Sequence, residues 1–234
     1  MNSPIVLALD TKDLEVAKNW IAVTNHSVAT YKVGLEFFLK FGSQGVSALR
    51  NCGDFELFLD LKLHDIPNTV AGAAGSVSHL LPKFLTVHAS GGPVMVAAAA
   101  TAVPQISITA VTILTSLSNA DLFAIGFAQN SLESAVALAK MSVTAGARSI
   151  VCSPLEVNAI RHAVPSDIDL ITPGVRPLGS EAADQLRTTT PAQAIELGAN
   201  FVVIGRPITQ KWQESATAMS EAAKSILESL NKVL

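Results

Sequence analysis

An α/β fold, a single (β/α)8 barrel over residues 1–234, is what this sequence predicts. Three observations predict it. Short apolar or β-branched runs alternate with longer Ala- and Leu-rich segments of helical spacing, the pattern of a parallel sheet with helical crossovers. Eight such runs fit into 234 residues, a length at which barrels stand as one domain. Polar residues collect where the runs end, and barrels carry their chemistry at that rim.

The runs, in order, are IVLALD (5–10), TYKVGL (30–35), ELFLDLKL (56–63), FLTVHA (84–89), ISITAVTIL (106–114), SIVCS (149–153), DLITPGV (169–175) and FVVIGRP (201–207). Between them lie segments such as SLESAVALAKMSVTAG and TPAQAIELGA. The second opens with Thr190 and Pro191 and closes at Gly198, which are helix start and stop signals. No linker or low-complexity stretch divides the chain.

Nearly half the residues are hydrophobic, 49%, so a large core needs no disulfide staples. The net charge of −3 and the lack of any basic run argue against a nucleic-acid or membrane surface. Any anion must be held by a few placed residues. Cys52 and Cys152 stand far apart and outside a CxxC pattern, as expected of buried free thiols in a reducing cytosol. The start, MNSPIVLALD, has no basic region and reaches Asp10 too soon for a signal peptide. The apolar stretch VMVAAAATAV is shorter than the ~20 residues a membrane helix needs. A soluble, cytoplasmic protein is expected.

The third run holds the sharpest signal, FLDLKLHDIPNT (58–69). Side chains alternate faces along a strand. Leu57, Leu59, Leu61 and Leu63 form one set, suited to packing under helices. Phe58, Asp60, Lys62 and His64 form the other and point into the barrel. Phe58 fills the lower core, and Asp60 and Lys62 reach the mouth. A buried ion pair holding the mouth together is the plain alternative, but such pairs stabilise weakly. Asp10 and Lys32 on neighbouring runs make a network of two acids and two bases. Carboxylate neighbours favour the protonated form of a lysine, which suits an acid and not a Schiff-base nucleophile. Asp65 reads locally as a helix cap.

The other end of the rim reads as an anion site. Strands 7 and 8 of barrels commonly hold phosphate. Gly205 lets backbone N–H groups approach an anion, and Arg206 supplies a fork that matches phosphate oxygens. Arg176 opens a polar loop, of a length that is usually functional, and Gln185 within it is placed to close over a phosphate. His88 is expected to pack or hydrogen-bond at the end of the fourth run, and His26, His79 and His162 read as helix or loop surface residues. No HxxH or HExxH spacing suggests a metal site.

The motifs ALD, KVG, FLDLKLHDIPNT, VTILTS, TPGVRP, DQ and VIGRP occur in this order from residue 8 to residue 207. On these the chain closely resembles the orotidine 5′-phosphate decarboxylase family, whose reaction is the last step of de novo UMP synthesis. The resemblance implies a homodimeric barrel with two active sites near the subunit interface, and neither metal nor organic cofactor. It implies that Lys62 donates a proton to C6 as carbon dioxide leaves, and that Asp60 is set against the substrate carboxylate. Asp65 and Thr69 match residues that reach the partner's site. Asp10 and Lys32 match ribose-hydroxyl and network residues. Thr115 matches a pyrimidine-side contact, a role Ser116 could share. Arg176, Gln185, Gly205 and Arg206 match the phosphate grip.

Two rivals stand beside this expectation. A sugar-phosphate decarboxylase or aldolase on a related barrel shares the Asp-x-Lys strand and the phosphate end, and several such enzymes use magnesium. The HDIPNT continuation argues against it. A silent nucleotide-binding barrel is the rival from outside the enzymes.

Overall fold

The structure is a computed structural model that describes residues 3–177 and 189–234. Eight strands form the barrel wall: β1 (Ile5–Ala8), β2 (Thr30–Gly34), β3 (Glu56–Leu63), β4 (Phe84–His88), β5 (Ser107–Val111), β6 (Ser149–Val151), β7 (Asp169–Thr172) and β8 (Phe201–Ile204). Each pairs in parallel with the next in sequence, and β1 closes the ring on β8. The predicted (β/α)8, or TIM, barrel is the observed fold. The helices are α1 (Leu14–Thr24), α2 (Leu35–Arg50), α3 (Pro67–Val77), α4 (Pro93–Ala102), α5 (Asn119–Ala124), α6 (Ser131–Thr144), α7 (Val157–Ala163), α8 (Pro191–Glu196), α9 (Arg206–Thr209) and α10 (Ala216–Leu230).

Local signals set the helix ends, those of α8 as expected. Asp13 caps α1 by accepting the N–H groups of Glu15 and Val16. Thr190 and Gln193 form a capping box at α8, whose end passes through Gly198 at φ +109. Except at β3, which fills its run, the strands end before the apolar runs do. β7 stops at Thr172 because Pro173 offers no N–H to a ladder and Gly174 turns at φ +82. β8 stops at Ile204, and Arg206-Pro207 already opens α9, where a proline is tolerated.

The core has two parts. Between strands and helices lie Ile5, Leu7, Leu57, Leu59, Leu61 and their neighbours. Inside the barrel a smaller plug of Val6, Phe58, Phe84 and Ile171 fills the lower half. The rings of Phe58 and Phe84 meet edge to face at 5.5 Å, and those of Phe84 and Phe201 at 5.4 Å. The Lys83 ammonium lies 5.4 Å from the centres of both Phe84 and Phe201. So Phe58 does close the lower core, and whatever binds inside the barrel enters from the opposite, C-terminal end. One expectation needs correction: Cys152 is buried but Cys52 is only half-buried, beside the α2 terminus, and both thiols are free. Among the described residues no helix is long and apolar enough to cross a membrane.

Candidate active site

Adjacent strands bring four charged side chains into one chain of ion pairs. The Lys32 ammonium on β2 stands 3.4 Å from Asp10 Oδ1 and 3.3 Å from Asp60 Oδ2. Lys62 Nζ lies 2.7 Å from Asp60 Oδ1. The order Asp10, Lys32, Asp60, Lys62 alternates in sign. Burial alone would push the Lys32 ammonium down, but Asp60 and Asp10 outweigh it and hold it above the ordinary lysine value. Burial alone would push the Asp60 carboxyl up, but Lys32 and Lys62 hold it below the usual range. Asp60 is only 8% exposed, and a buried charge is costly unless it is fully partnered. Among the described residues it has three donors: the two ammonium groups and the Thr86 hydroxyl, at 3.2 Å.

The route to this arrangement is not the regular alternation that the sequence suggests. Asp60 does face the interior, and Leu61 and Leu63 pack toward the helices. Past Leu59, however, β3 bulges against β4: Leu59 pairs with Leu85, and the next pair is Leu63 with Val87. Lys62 sits on this bulge in the left-handed region, at φ +47. The bulge re-aims a side chain, as bulges beside sites commonly do.

Lys32, Asp60 and Lys62 form the polar side of a cavity of about 190 Å³. Phe58, Val111, Ile113, Leu114, Val151, Cys152, Pro173 and Val203 give it an otherwise apolar lining, with Thr115 at its edge. Burial pushes the Cys152 thiol up to about 12, so it lines the cavity as a neutral group. Ile113, Leu114 and Thr115 also border a wider recess of about 780 Å³, which Ser116 lines as well. Of the two candidates for a pyrimidine-side contact, Thr115 reaches both spaces and Ser116 only the wider one.

At the far side of the rim, Gly205 caps α9 and Arg206 is its first residue. A Cβ on Gly205 would stand 3.6 Å from Ala8 Cβ and 4.0 Å from Asp10 Oδ2, ordinary contacts. Protein neighbours therefore do not demand glycine there. The missing side chain leaves room beside Asp10, at the junction of the charged chain and Arg206. Arg176 donates its backbone N–H to Thr189 O at 3.0 Å and its Nη1 to Val175 O at 3.1 Å. Gln185 lies outside the described residues.

Asp65 and Thr69 are not drawn into this site within one chain. Both are exposed and line neither cavity. Asp65 is not the cap of α3 either: Ile66 holds that position, and the Asp65 carboxylate accepts its neighbour's N–H, Ile66 N at 2.6 Å. His64 and His88 stack at the mouth with ring centres 5.3 Å apart. Burial first, then His64 and Lys62, holds His88 below the ordinary histidine value. Sequence reasoning missed two residues that shape the site. Gly34 makes space for Lys32, and its only signal was its place in KVG. Thr86 bonds to both Lys62 and Asp60, and its only signal was a hydroxyl in the apolar run FLTVHA.

Similarity to known proteins covers the whole of this constellation. The family described as Orotidine 5'-phosphate decarboxylase / HUMPS matches residues 3–221. The orotidine 5'-phosphate decarboxylase of Thermobifida fusca is 50% identical over 224 residues, 96% of each chain. That of Frankia casuarinae is 45% identical over 238 residues, covering 94% of this chain and 87% of the relative. Among solved structures, the orotidine 5'-phosphate decarboxylase from Lactobacillus acidophilus superimposes with a TM-score of 0.83 at 32% identity, over 98% of this chain and 99% of that one. With motifs, barrel and site geometry in agreement, the chain belongs to the orotidine 5'-phosphate decarboxylase / HUMPS family.

Proposed function

We propose that this protein decarboxylates orotidine 5′-phosphate to UMP and carbon dioxide in pyrimidine biosynthesis. It does so in the cytoplasm, without metal or organic cofactor, with residues 1–234 acting as one catalytic barrel. The observation that carries the reading is the alternating chain Asp10–Lys32–Asp60–Lys62, whose last three members line an otherwise apolar cavity. An apolar slot charged on one side suits a flat pyrimidine with one reacting anionic substituent. The names of the relatives support the same substrate.

Loss of carbon dioxide moves negative charge from the carboxylate to ring carbon C6, where resonance gives little relief. Asp60 lies against the departing carboxylate, and Lys62, held on Asp60, presents its ammonium to C6. A fixed cation aimed at developing charge is preorganised stabilisation. At ~4 Å and an effective dielectric of ~20, one such contact is worth about 4 kcal/mol before competing terms. Lys62 then gives its proton to C6, which completes UMP. Lys32 holds Asp60 in place and, with Asp10, meets the ribose hydroxyls. Thr115 contacts the pyrimidine. Arg176, Gln185, Gly205 and Arg206 hold the phosphate. That group is remote from C6, so its binding energy is available to assemble the site.

The working unit in this reading is a homodimer in which Asp65 and Thr69 serve the partner's site. Their exposure and their absence from both cavity linings in the single chain favour this. The test is incubation with orotidine 5′-phosphate while orotate absorbance is followed. Turnover is expected, undiminished by EDTA, and absent in a folded Lys62→Ala variant. Binding of UMP by a well-folded dimer that never turns over substrate would sink the proposal, and activity lost in EDTA would favour a metal-dependent sugar-phosphate enzyme.

A further inference from the structure

We propose that Thr86 is a positioning residue for the reaction, its one hydroxyl holding both the backbone that carries Lys62 and the carboxylate that Lys62 pairs with. The inference rests on the reading of Lys62 as the proton donor.

Lysine adopts a left-handed backbone only where its surroundings hold it there. At the β3 bulge the ladder with β4 is interrupted, and the Lys62 N–H has to find another acceptor. It finds Thr86 Oγ1 on β4, at 2.8 Å. A threonine hydroxyl has one proton to give and room to accept. Thr86 gives that proton to Asp60 Oδ1, at 3.2 Å, the same oxygen that receives Lys62 Nζ at 2.7 Å. One atom thus sets two coordinates of the site: where the Lys62 side chain leaves the strand, and which way Asp60 turns its carboxylate. Thr86 is fully buried, so solvent does not replace a lost hydroxyl. Removing it would leave the Lys62 N–H without its acceptor, and Asp60 would lose the hydroxyl that joins the two ammonium groups as its donors among the described residues.

Thr109, which pairs with Thr86 across β4 and β5, shows what an uninvolved hydroxyl does. It is equally buried, yet its partners are the Ser149 hydroxyl at 2.7 Å and the Ser107 carbonyl at 3.3 Å, neither of them a site group. It is the natural control.

The experiment compares Thr86→Val, Thr86→Ser and Thr109→Val with the wild type for kcat, UMP affinity and melting temperature. Valine keeps the shape and removes the hydroxyl; serine keeps the hydroxyl and removes the methyl. Small displacements of reacting groups cost rate more than binding, so Thr86→Val is expected to lose about 100-fold in kcat with UMP affinity within about threefold. Thr86→Ser is expected to recover to within about fivefold of wild type, and Thr109→Val to stay within about twofold. Thr86→Val with near-wild-type kcat overturns the proposal, as does Thr109→Val losing as much rate as Thr86→Val. If Thr86→Val does not fold, Thr86→Ser is compared with Thr86→Ala, and equal kcat in the two overturns it. Lys62→Ala, assayed in parallel, separates the two ideas. If it is dead while Thr86→Val is fully active, only the role of Thr86 fails; if it is active, the reading of Lys62 fails, and the proposal with it.

Discussion

Gly34 lies against the ammonium of Lys32: a Cβ built on it would stand 3.2 Å from Lys32 Nζ and 3.5 Å from Asp10 Oδ1. Its backbone, at φ −91 and ψ −179, is open to any residue, so it is space and not conformation that favours glycine here. In Gly34→Ala the methyl would meet the end of a flexible side chain, and Lys32 would yield by a few tenths of an ångström. Lys32 holds Asp60 on one side and Asp10 on the other, so a small shift is passed to both. Gly34→Ala is expected to lower kcat/KM about tenfold. The melting temperature should move by no more than ~2 °C, since no core contact is lost. Steady-state kinetics beside a thermal melt checks both, and unchanged kinetics would remove Gly34 from the site.

Asp65 supplies the second prediction. It is exposed and lines neither cavity of its own chain, and the adjacent Ile66 is 65% exposed. If Asp65 completes the partner's site, Lys62→Ala and Asp65→Ala homodimers are each inactive, but a mixed dimer holds one intact site. Random exchange makes half the dimers mixed, so about a quarter of wild-type activity is expected on mixing. Subunit exchange shown by mass, with no activity regained, would assign Asp65 to its own chain.

A third prediction concerns pH and Glu156, which precedes α7 and borders the wider recess. It is 5% exposed; burial pushes its carboxyl up, and its bonds to Ser153 offset this only in part. Above the ordinary glutamate value of about 4.3 the unfolded chain has released a proton that the folded chain still holds, so stability falls as pH rises toward the folded value. Asp60 has the opposite sign. Its folded carboxyl is depressed, so its contribution is present above about 3.9 and lost as pH falls through the folded value. Glutamine at position 156 can still accept the Ser153 N–H, now made at 3.0 Å, without the charge. Glu156→Gln should therefore melt higher than wild type at pH 8, by a margin that narrows toward pH 5. A margin that is constant with pH, or negative throughout, would refute the assignment.

Much of the barrel was legible in the chain because parallel strands are buried on both faces and read as continuous apolar runs. All eight strands lie inside the runs, and Thr190, Pro191 and Gly198 bound α8 as their chemistry dictates. The errors fall at strand ends. The run ISITAVTIL outlasts β5, which stops at Val111, because Ile113 and Leu114 are apolar for another reason: they wall the cavity. A lining residue and a strand residue look alike in one dimension.

The sequence by itself determined the fold class, the inward face of Phe58 and Asp60, and the set of charged residues at the rim. These depend on periodicity and residue type, which are local properties. Only the tertiary structure decided how Lys62 is presented, through a left-handed residue on a bulge held by Thr86, and why Gly34 is bare. It also showed that Asp65 stands outside its own chain's cavity. Those features rest on contacts between strands: Lys62 with Thr86, 24 residues on, and Lys32 with Asp10, 22 residues back. Strand pairing brings such residues together, and no local pattern encodes the distance between them.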